Sequence, residues 1–335
     1  MRKWIGVAFA AVLVLSTAEA RACTVFSASQ GDVVLAGANE DAPFPRGKIW
    51  FLPPEKGKYG RVYFGFPDVP RVQAGMNDQG LFWDALSAEP MAVTTSRDKP
   101  QHLGFLLEKI TEECATVEEA LAVFERYSRG FMRDCMYLLA DSMGDSAIVE
   151  GDAVVRKRGS YQVVTNFRQS RSKEGESPCD RYQIAVEMLE AGEVSVDLFR
   201  RILASTHVEA PPHPTVYSTI ADLRRGIIYV YHYHNFTNVF EIDLAEELKK
   251  GRHSYDLPSL FPRTLMAEYF EQMYRRGETG FRFPERGSAD VGEEVLAPRL
   301  ANLSRWGRRA AVIAGTAAAV LFVLRRRTLR GRVLP

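Results

Sequence analysis

The sequence predicts an α+β fold in which antiparallel sheets are covered by helices. Short apolar or alternating runs occur in pairs around turn residues, as on either side of Gln30-Gly31-Asp32, which is typical of β-hairpins. Runs with helical spacing occur in clusters between these hairpins. Hairpins in runs with helices in clusters indicate antiparallel sheets with helical covers.

The strands follow from alternation and from the turns between them. The first two flank the Gln-Gly-Asp turn, so the segment after residue 22 is expected to open with a hairpin. Two later pairs flank the turns at residues 77–80 and 141–145 in the same way. The predicted strands are residues 24–27, 33–36, 61–66, 73–76, 81–86, 136–140, 146–150, 162–165, 217–223, 227–233 and 239–242.

Four helices are predicted from capping and periodicity. Thr116 with Glu119 forms a capping box before an apolar run. The other three have apolar residues at helical spacing. The predicted helices are residues 116–127, 181–190, 198–203 and 265–274, whereas residues 46–59 and 87–101 are predicted as loops.

The amino terminus predicts a cleaved secretory signal over residues 1–22. A short basic start precedes an apolar run over residues 4–15, which is too short to span a bilayer, and the segment ends in Ala20-Arg21-Ala22. The mature protein is therefore expected outside the cytoplasm, on the periplasmic or extracellular side. A lipoprotein signal, which also ends before a cysteine, is the alternative, but the bulky cation of Arg21 argues against it.

The carboxyl terminus predicts a membrane anchor. Residues 310–324 carry no charge and have arginines on both sides, and a helix of this length covers about 22 Å of a hydrocarbon core of about 30 Å. Snorkelling arginines extend such a helix. We therefore expect a body at 23–279, a linker at 280–304 and a transmembrane anchor with a basic tail at 305–335, oriented with the tail in the cytoplasm. The alternative is an Ala-rich amphipathic or soluble tail.

Composition and cysteine count limit the possible partners. The net charge is +1 and there is no dominant basic stripe, so nucleic acid is not an expected partner. If the first cysteine is kept free for chemistry, at most one disulfide can form among the others, and the sequence does not say which. The four cysteines are Cys23, Cys114, Cys135 and Cys179.

No metal or cofactor site is expected. His232 and His234 lie two apart on a predicted strand and would share a face, but no third ligand accompanies them at a zinc-like spacing. The sequence has no phosphate-binding loop, dinucleotide fingerprint or G-x-S-x-G motif.

Cleavage after Ala22 would place a thiol and a free α-amine on one residue, Cys23. A thiol is activated as a nucleophile by an adjacent base, and an α-amine with a pKa near 7.7–8.0 suits that role at neutral pH. The sequence thus predicts an enzyme with an amino-terminal nucleophile.

Six short motifs, in order, extend this prediction over residues 23–244. They are Cys23-Thr24-Val25-Phe26, Gly37-Ala38-Asn39-Glu40-Asp41, Gly75-Met76-Asn77-Asp78-Gln79-Gly80-Leu81, Leu138-Leu139-Ala140-Asp141 with Gly144-Asp145-Ser146, Val164-Thr165-Asn166-Phe167, and Tyr217-Ser218-Thr219 with Asp222. Together they resemble the N-terminal-nucleophile hydrolases, in particular the linear-amide group that includes penicillin V acylase, choloylglycine (bile salt) hydrolase and autoproteolytic acyltransferases.

The resemblance implies a four-layer αββα sandwich and hydrolysis of non-peptide linear C–N amides through a thioester, with no cofactor. An acyltransferase that passes the acyl group to an amine is the first alternative. A lipidated, non-enzymatic envelope protein on a degenerate scaffold of this type is the second. The expected partners are a small acyl-amide substrate and the membrane; acyl and amine specificity and a homo-oligomeric state stay open.

The resemblance also implies roles for four residues. Cys23 corresponds to the nucleophile and Asp41 to the aspartate that orients its α-amine. Asn166 corresponds to an asparagine that helps to form the oxyanion hole. Arg181 corresponds to an arginine that lies near the nucleophile and favours its thiolate.

Four further positions are singled out by the same motifs. Asn39 is expected to brace its loop, and Asp84 either binds substrate or is solvated. Ser87 stands where some members have an oxyanion-side asparagine. Ala38 replaces an arginine found in choloylglycine hydrolases, which removes a cation from the site and makes bile-salt chemistry doubtful.

Overall fold

The computed structural model describes residues 23–94, 99–173 and 178–279. Within these ranges it contains fourteen β-strands and six α-helices. The strands are β1 (Thr24–Gln30), β2 (Val33–Asp41), β3 (Lys48–Leu52), β4 (Arg61–Gly65), β5 (Ala74–Asn77), β6 (Phe82–Ser87), β7 (Cys135–Ala140), β8 (Ser146–Glu150), β9 (Ala153–Arg156), β10 (Tyr161–Val164), β11 (Thr215–Asp222), β12 (Ile227–His232), β13 (Asn235–Asp243) and β14 (His253–Asp256). The helices are α1 (Leu106–Glu113), α2 (Val117–Arg126), α3 (Asp180–Ala191), α4 (Val196–Thr206), α5 (Leu244–Lys249) and α6 (Leu265–Arg276).

The strands form two antiparallel sheets. The six-stranded sheet has the order β10-β1-β2-β11-β12-β13, and the eight-stranded sheet has the order β14-β3-β4-β5-β6-β7-β8-β9. The amino-terminal hairpin of β1 and β2 lies at the centre of the first sheet, between β10 and β11. Every described pairing is antiparallel, as the hairpin pattern of the sequence predicts.

Three apolar clusters divide the fold into four layers. The largest lies between the two sheets and includes Val25, Ala38 and Phe82. A second packs α1 and α2 on the outer face of the eight-stranded sheet, and a third packs α3 and α4 on the outer face of the six-stranded sheet. The order of layers is therefore helices, sheet, sheet, helices, which confirms the predicted αββα sandwich.

All four predicted helices form. The Thr116 side chain accepts from the Glu119 amide, and the Glu119 side chain returns to the Thr116 amide, so the predicted capping box closes α2. The helices α3, α4 and α6 cover the other three predictions and extend each by one or more residues.

Several elements were not predicted. The expected loop at residues 46–59 contains β3, a buried strand at one side of the eight-stranded sheet, so that expectation was wrong for Lys48–Leu52. The helices α1 and α5 and the strands β9 and β14 were also missed.

The described residues hold no helix with the length and apolarity needed to cross a bilayer. The predicted signal peptide, linker and membrane anchor lie outside the described residues.

Candidate active site

Cys23 lies at the first position of the described chain, immediately before β1. It is 6% exposed, and its Sγ lies 4.0 Å from the carbonyl oxygen of Asp41 at the end of β2. The register between β1 and β2 pairs Thr24 with Asn39, which brings the beginning of one strand beside the end of the other. The amino-terminal hairpin therefore brings Cys23 and Asp41 together.

Arg181, in the first turn of α3, binds the backbone of this cysteine. Its guanidinium donates to the carbonyl oxygen of Cys23 and to Oγ1 of Thr24, both at 2.7 Å, and to Oδ1 of Asn166 at 3.1 Å. These three bonds fix the start of β1 relative to α3 and to the segment after β10. The guanidinium contacts the cysteine carbonyl rather than its sulfur.

The side-chain amide of Asn166, two residues after β10, is held by a hydrogen bond at its oxygen and another at its nitrogen. Its Oδ1 accepts from Arg181, and its Nδ2 donates to the carbonyl oxygen of Ser87 at 2.9 Å. An amide nitrogen carries two N–H donors, so one remains after the bond to Ser87. The structure thus brings Ser87 to the site through its backbone.

Asp41 has one bound and one unpaired oxygen. Oγ1 of Thr215 donates to its Oδ1, while Oδ2 is buried without a partner among the described residues. Burial raises the pKa of this carboxyl well above its ordinary value, against the lowering effects of the Thr215 hydrogen bond and the Arg181 cation. A buried carboxylate oxygen without a partner is suited to hold a cation such as an ammonium group.

Asn39 points away from the cysteine. Its Nδ2 donates to the carbonyl of Leu203 at 3.0 Å and to Oγ1 of Thr206 at 3.1 Å, both in α4, and its Oδ1 accepts from Oγ of Ser218 at 2.6 Å. This side chain joins β2 to α4 and β11, in agreement with the expected bracing role.

Asp84 is fully buried between the sheets, so the interpretation of it as a solvated charge was wrong. It lies on the inner face of β6 with Phe82 and Leu86. The alternation of β2 puts Glu40 on the inner face with Ala36 and Ala38. Asp84 therefore meets a second acid, Glu40, within the apolar layer between the sheets.

Oε1 of Glu40 and both carboxyl oxygens of Asp84 are buried without a well-formed hydrogen bond among the described residues. The two carboxyl groups lie close enough to interact, and two acids buried together favour a proton on one of them. Burial, with the charge of its neighbour Asp84, raises the pKa of Glu40 well above its ordinary value, and burial raises the pKa of Asp84 to about 7. The hydroxyl of Tyr217 is also buried and unpaired among the described residues, and it lies within electrostatic reach of Glu40, Asp84 and Cys23.

The thiol of Cys23 is held in its neutral form by these surroundings. Burial raises its pKa well above the ordinary value, and the charges of Glu40, Asp41 and Asp84 add to the rise. A thiol in this environment needs an adjacent base to become a nucleophile.

Glu40 and Tyr217 were not predicted from the sequence as residues of the site. Alternation along β2 could have assigned residue 40 to the same face as Ala38 and marked a charge in an apolar row. The approach of Glu40 to Asp84 depends on how the two sheets stack, which local patterns do not contain.

The two histidines singled out in the sequence do not share a face, contrary to expectation. β12 ends at His232, whose ring stacks on Phe261 with centroids 5.3 Å apart. The next two residues, Tyr233 and His234, have positive φ angles of 43° and 61°, which break the alternation. His234 instead lies against His207, with ring centroids 4.6 Å apart.

His234, His207 and Glu209 offer ligand atoms that all lie within 4.8 Å of one another. This cluster is the arrangement among the described residues that could hold a metal ion, and it was not predicted from the sequence. None of the four cysteines forms a disulfide in the described residues.

Comparisons with known proteins identify the fold. No protein-family model matches the sequence, and no curated protein matches it. Among solved structures, an arginine-to-leucine variant of conjugated bile acid hydrolase from Clostridium perfringens is 16% identical, with a TM-score of 0.57 over 72% of this chain and 99% of that chain. Penicillin V acylase from Agrobacterium tumefaciens is 20% identical, with a TM-score of 0.54 over 70% of this chain and 90% of that chain. The described part of the chain therefore has the fold of the N-terminal-nucleophile hydrolases of linear amides, which its sequence motifs resemble.

Proposed function

We propose that this protein is an exported amidohydrolase that cleaves non-peptide linear C–N amides with Cys23 as nucleophile. The observation that carries the proposal is the hydrogen-bonded cluster at the start of β1, where Cys23, Asp41, Asn166 and Arg181 meet. Similarity of fold to a bile acid hydrolase and a penicillin V acylase supports the same class of reaction.

Removal of residues 1–22 would give Cys23 a free α-amine. The unpaired Oδ2 of Asp41 is the acceptor that this amine requires, because the carboxylate stabilises the ammonium formed when the amine takes the thiol proton. Burial raises the pKa of the Cys23 thiol, so the thiol needs a base to lose its proton. The α-amine of the same residue supplies that base.

In the first half of the reaction, the sulfur of Cys23 attacks the carbonyl carbon of the amide as its proton passes to the α-amine. The remaining N–H of Asn166 donates to the oxyanion, while Arg181 keeps the amide of Asn166 in orientation. The C–N bond breaks, the α-ammonium returns its proton to the leaving amine, and a thioester remains.

In the second half, the α-amine takes a proton from water, and the oxygen of that water attacks the thioester carbonyl. The C–S bond breaks, the carboxylic acid leaves, and the proton returns to the sulfur. The buried pair of Glu40 and Asp84, with Tyr217, lies near the attacking sulfur and contributes to the contacts with substrate.

The test begins with the mature amino terminus. Mass spectrometry of the protein purified from its host should give a chain that starts at Cys23 with an unmodified amine. Cys23→Ala should lower kcat/KM on acyl-amide substrates at least about a thousandfold, because it removes the group that forms the covalent bond. Cys135→Ser, which changes a half-buried thiol in β7, is the matched control and should keep wild-type activity.

A different first residue, a diacylglycerol group on Cys23, or equal activity of Cys23→Ala and the wild type would contradict the proposal. Product analysis in the presence of added amines distinguishes hydrolysis from acyl transfer, because a transferase would form a new amide in place of the free acid.

We also propose that residues 305–335 anchor the protein in the cytoplasmic membrane with the catalytic body outside. The intact protein should stay in the membrane fraction after a high-salt wash, and truncation after residue 300 should release it. Release of the intact protein by salt alone would contradict the anchor.

A further inference from the structure

Two histidines and a glutamate come together near the end of α4, outside the hydrogen-bonded cluster around Cys23. His207 follows the helix directly, Glu209 lies two residues later, and His234 lies in the turn between β12 and β13. Their candidate ligand atoms lie within 4.8 Å of one another. Residues from two separate parts of the chain thus converge on one point.

The ring of His207 is oriented toward that point. Its Nδ1 lies 2.6 Å from the carbonyl oxygen of Ala204, which can only accept, so this nitrogen carries a proton. The other ring nitrogen, Nε2, is then the atom of His207 that can coordinate an ion, and it lies 3.1 Å from Oε1 of Glu209. A histidine whose Nδ1 is bound to a carbonyl while Nε2 faces a carboxylate has the arrangement found at metal sites.

His234 completes the cluster from an unusual backbone conformation. Its φ of 61° is in the left-handed region, which a non-glycine residue occupies at a cost that the surrounding structure must offset. Its Nε2 is buried without a hydrogen-bond partner among the described residues. This nitrogen is therefore placed to act as a ligand atom of the cluster.

We propose that His207, Glu209 and His234 bind one Zn²⁺ ion, with water as the fourth ligand. Two imidazole nitrogens and one carboxylate oxygen are a ligand set that zinc accepts. Metal–ligand bonds of about 2.0–2.1 Å at tetrahedral angles separate the ligand atoms by about 3.4 Å, so small movements of these side chains complete the site.

The ion would join α4 to the turn after β12. The bound segment already pairs with β11, since the Val208 amide donates to Oγ1 of Thr215 at 2.8 Å and the Thr215 amide donates to the Val208 carbonyl at 2.7 Å. Thr215 in turn donates to Asp41. Zinc therefore stabilises the layer that supports Asp41 without contacting Cys23.

The rival explanation is a simple histidine–glutamate ion pair. The chain contains a matched example, because Nε2 of His253 lies 3.0 Å from Oε2 of Glu247, and no second histidine of the described residues joins that pair. A variant at His253 is therefore the control for the loss of an imidazole beside a carboxylate.

The experiment uses the untagged full chain with Cys23→Ala, which removes one competing thiol and separates this test from catalysis. After treatment with a chelator, the protein should take up one zinc per chain by mass spectrometry and titration, and zinc should raise its unfolding temperature. His207→Ala and His234→Ala should each weaken zinc binding at least tenfold, and His253→Ala should leave it unchanged.

Glu209 is 70% exposed, so Glu209→Gln tests the site without affecting the core. It should also weaken zinc binding at least tenfold while circular dichroism shows an unchanged fold. Zinc affinity that is equal in the wild-type cluster and in the His207, Glu209 and His234 variants would overturn the proposal. Preference of the protein for Ca²⁺ over Zn²⁺ would overturn it as well.

Discussion

Buried polar side chains on the two faces of β2 differ in their hydrogen-bond partners. On the outer face, Asn39 uses its amide nitrogen and oxygen in three hydrogen bonds to α4 and β11. On the inner face, the next residue, Glu40, lies against a second acid, Asp84, and its Oε1 has no hydrogen-bond partner among the described residues. Both side chains are buried, so the difference lies in their partners and not in their depth.

This contrast distinguishes a polar group that stabilises the fold from a pair of acids that the proposed function would use. A buried amide with all its partners contributes to stability, whereas two buried carboxyls that must share a proton reduce it. Groups that reduce stability in this way are concentrated at sites where chemistry or binding uses them. The pair of Glu40 and Asp84 lies beside Cys23, which agrees with the proposed contact with substrate.

Among substitutions in β2, the largest expected effect is at Asp41, the last residue of the strand. Asp41→Asn keeps an oxygen that can accept from Thr215 but loses the charge that holds the α-ammonium. We expect kcat/KM to fall at least about a hundredfold, or about 2.7 kcal/mol of transition-state stabilisation, in steady-state kinetics. Asp222→Asn changes a buried aspartate of β11 that binds turn amides and is the control; equal losses in the two variants would contradict a catalytic role for Asp41.

The next largest effect is a difference in the free energy of unfolding between variants of two neighbouring residues, Asn39 and Glu40. Asn39→Ala leaves the partners in α4 and β11 unpaired, and we expect a loss of about 2 kcal/mol in the free energy of unfolding. Glu40→Gln places an amide donor opposite Asp84 and removes a buried acid, so stability at pH 8 should rise. Denaturant titration of the two variants measures both changes. A loss of similar size in each would contradict the distinction between the two faces.

Sequence patterns predicted those elements that are specified by a turn or a helix cap close to them in the sequence. The turn after Gln30 gives the amino-terminal hairpin, and the Thr116 capping box gives α2. The helix α1 was missed because Phe105 at its N-cap provides no side-chain cap, so no start signal precedes it. The strand β14 is short and lies at the edge of its sheet, and its alternation is too brief to stand out.

Site residues that occur in short sequence motifs were predicted, whereas residues that come together only through tertiary packing were missed. Cys23, Asp41, Asn166 and Arg181 occur in motifs of the resembled family, and the structure brings all four together. Glu40 and Asp84 meet across two sheets, and no single segment contains that information. His234 joins His207 only because the chain enters the left-handed region after β12.

The smallest effect is the pH dependence of stability that the acid pair confers. Burial raises the pKa of Asp84 to about 7, so between about pH 4 and pH 7 the folded protein holds a proton that the unfolded chain releases. The free energy of unfolding therefore contains a contribution that is complete at low pH and is lost as the pH rises through 7. Asp84→Asn removes this group, and the loss of stability between pH 6 and pH 7 should shrink by about 1 kcal/mol in denaturant titrations.

Asp32→Asn, at a fully exposed aspartate of the same polypeptide, should leave the pH profile of stability unchanged. If the Asp84 and Asp32 variants have the same profile as the wild type, the carboxyl of Asp84 is ionised throughout this range. The layer between the two sheets would then contain two fixed negative charges, from Glu40 on β2 and Asp84 on β6, and a cation from outside the described residues would have to balance them. The pH profile therefore decides whether a shared proton or a bound positive charge stabilises the acid pair beside Cys23.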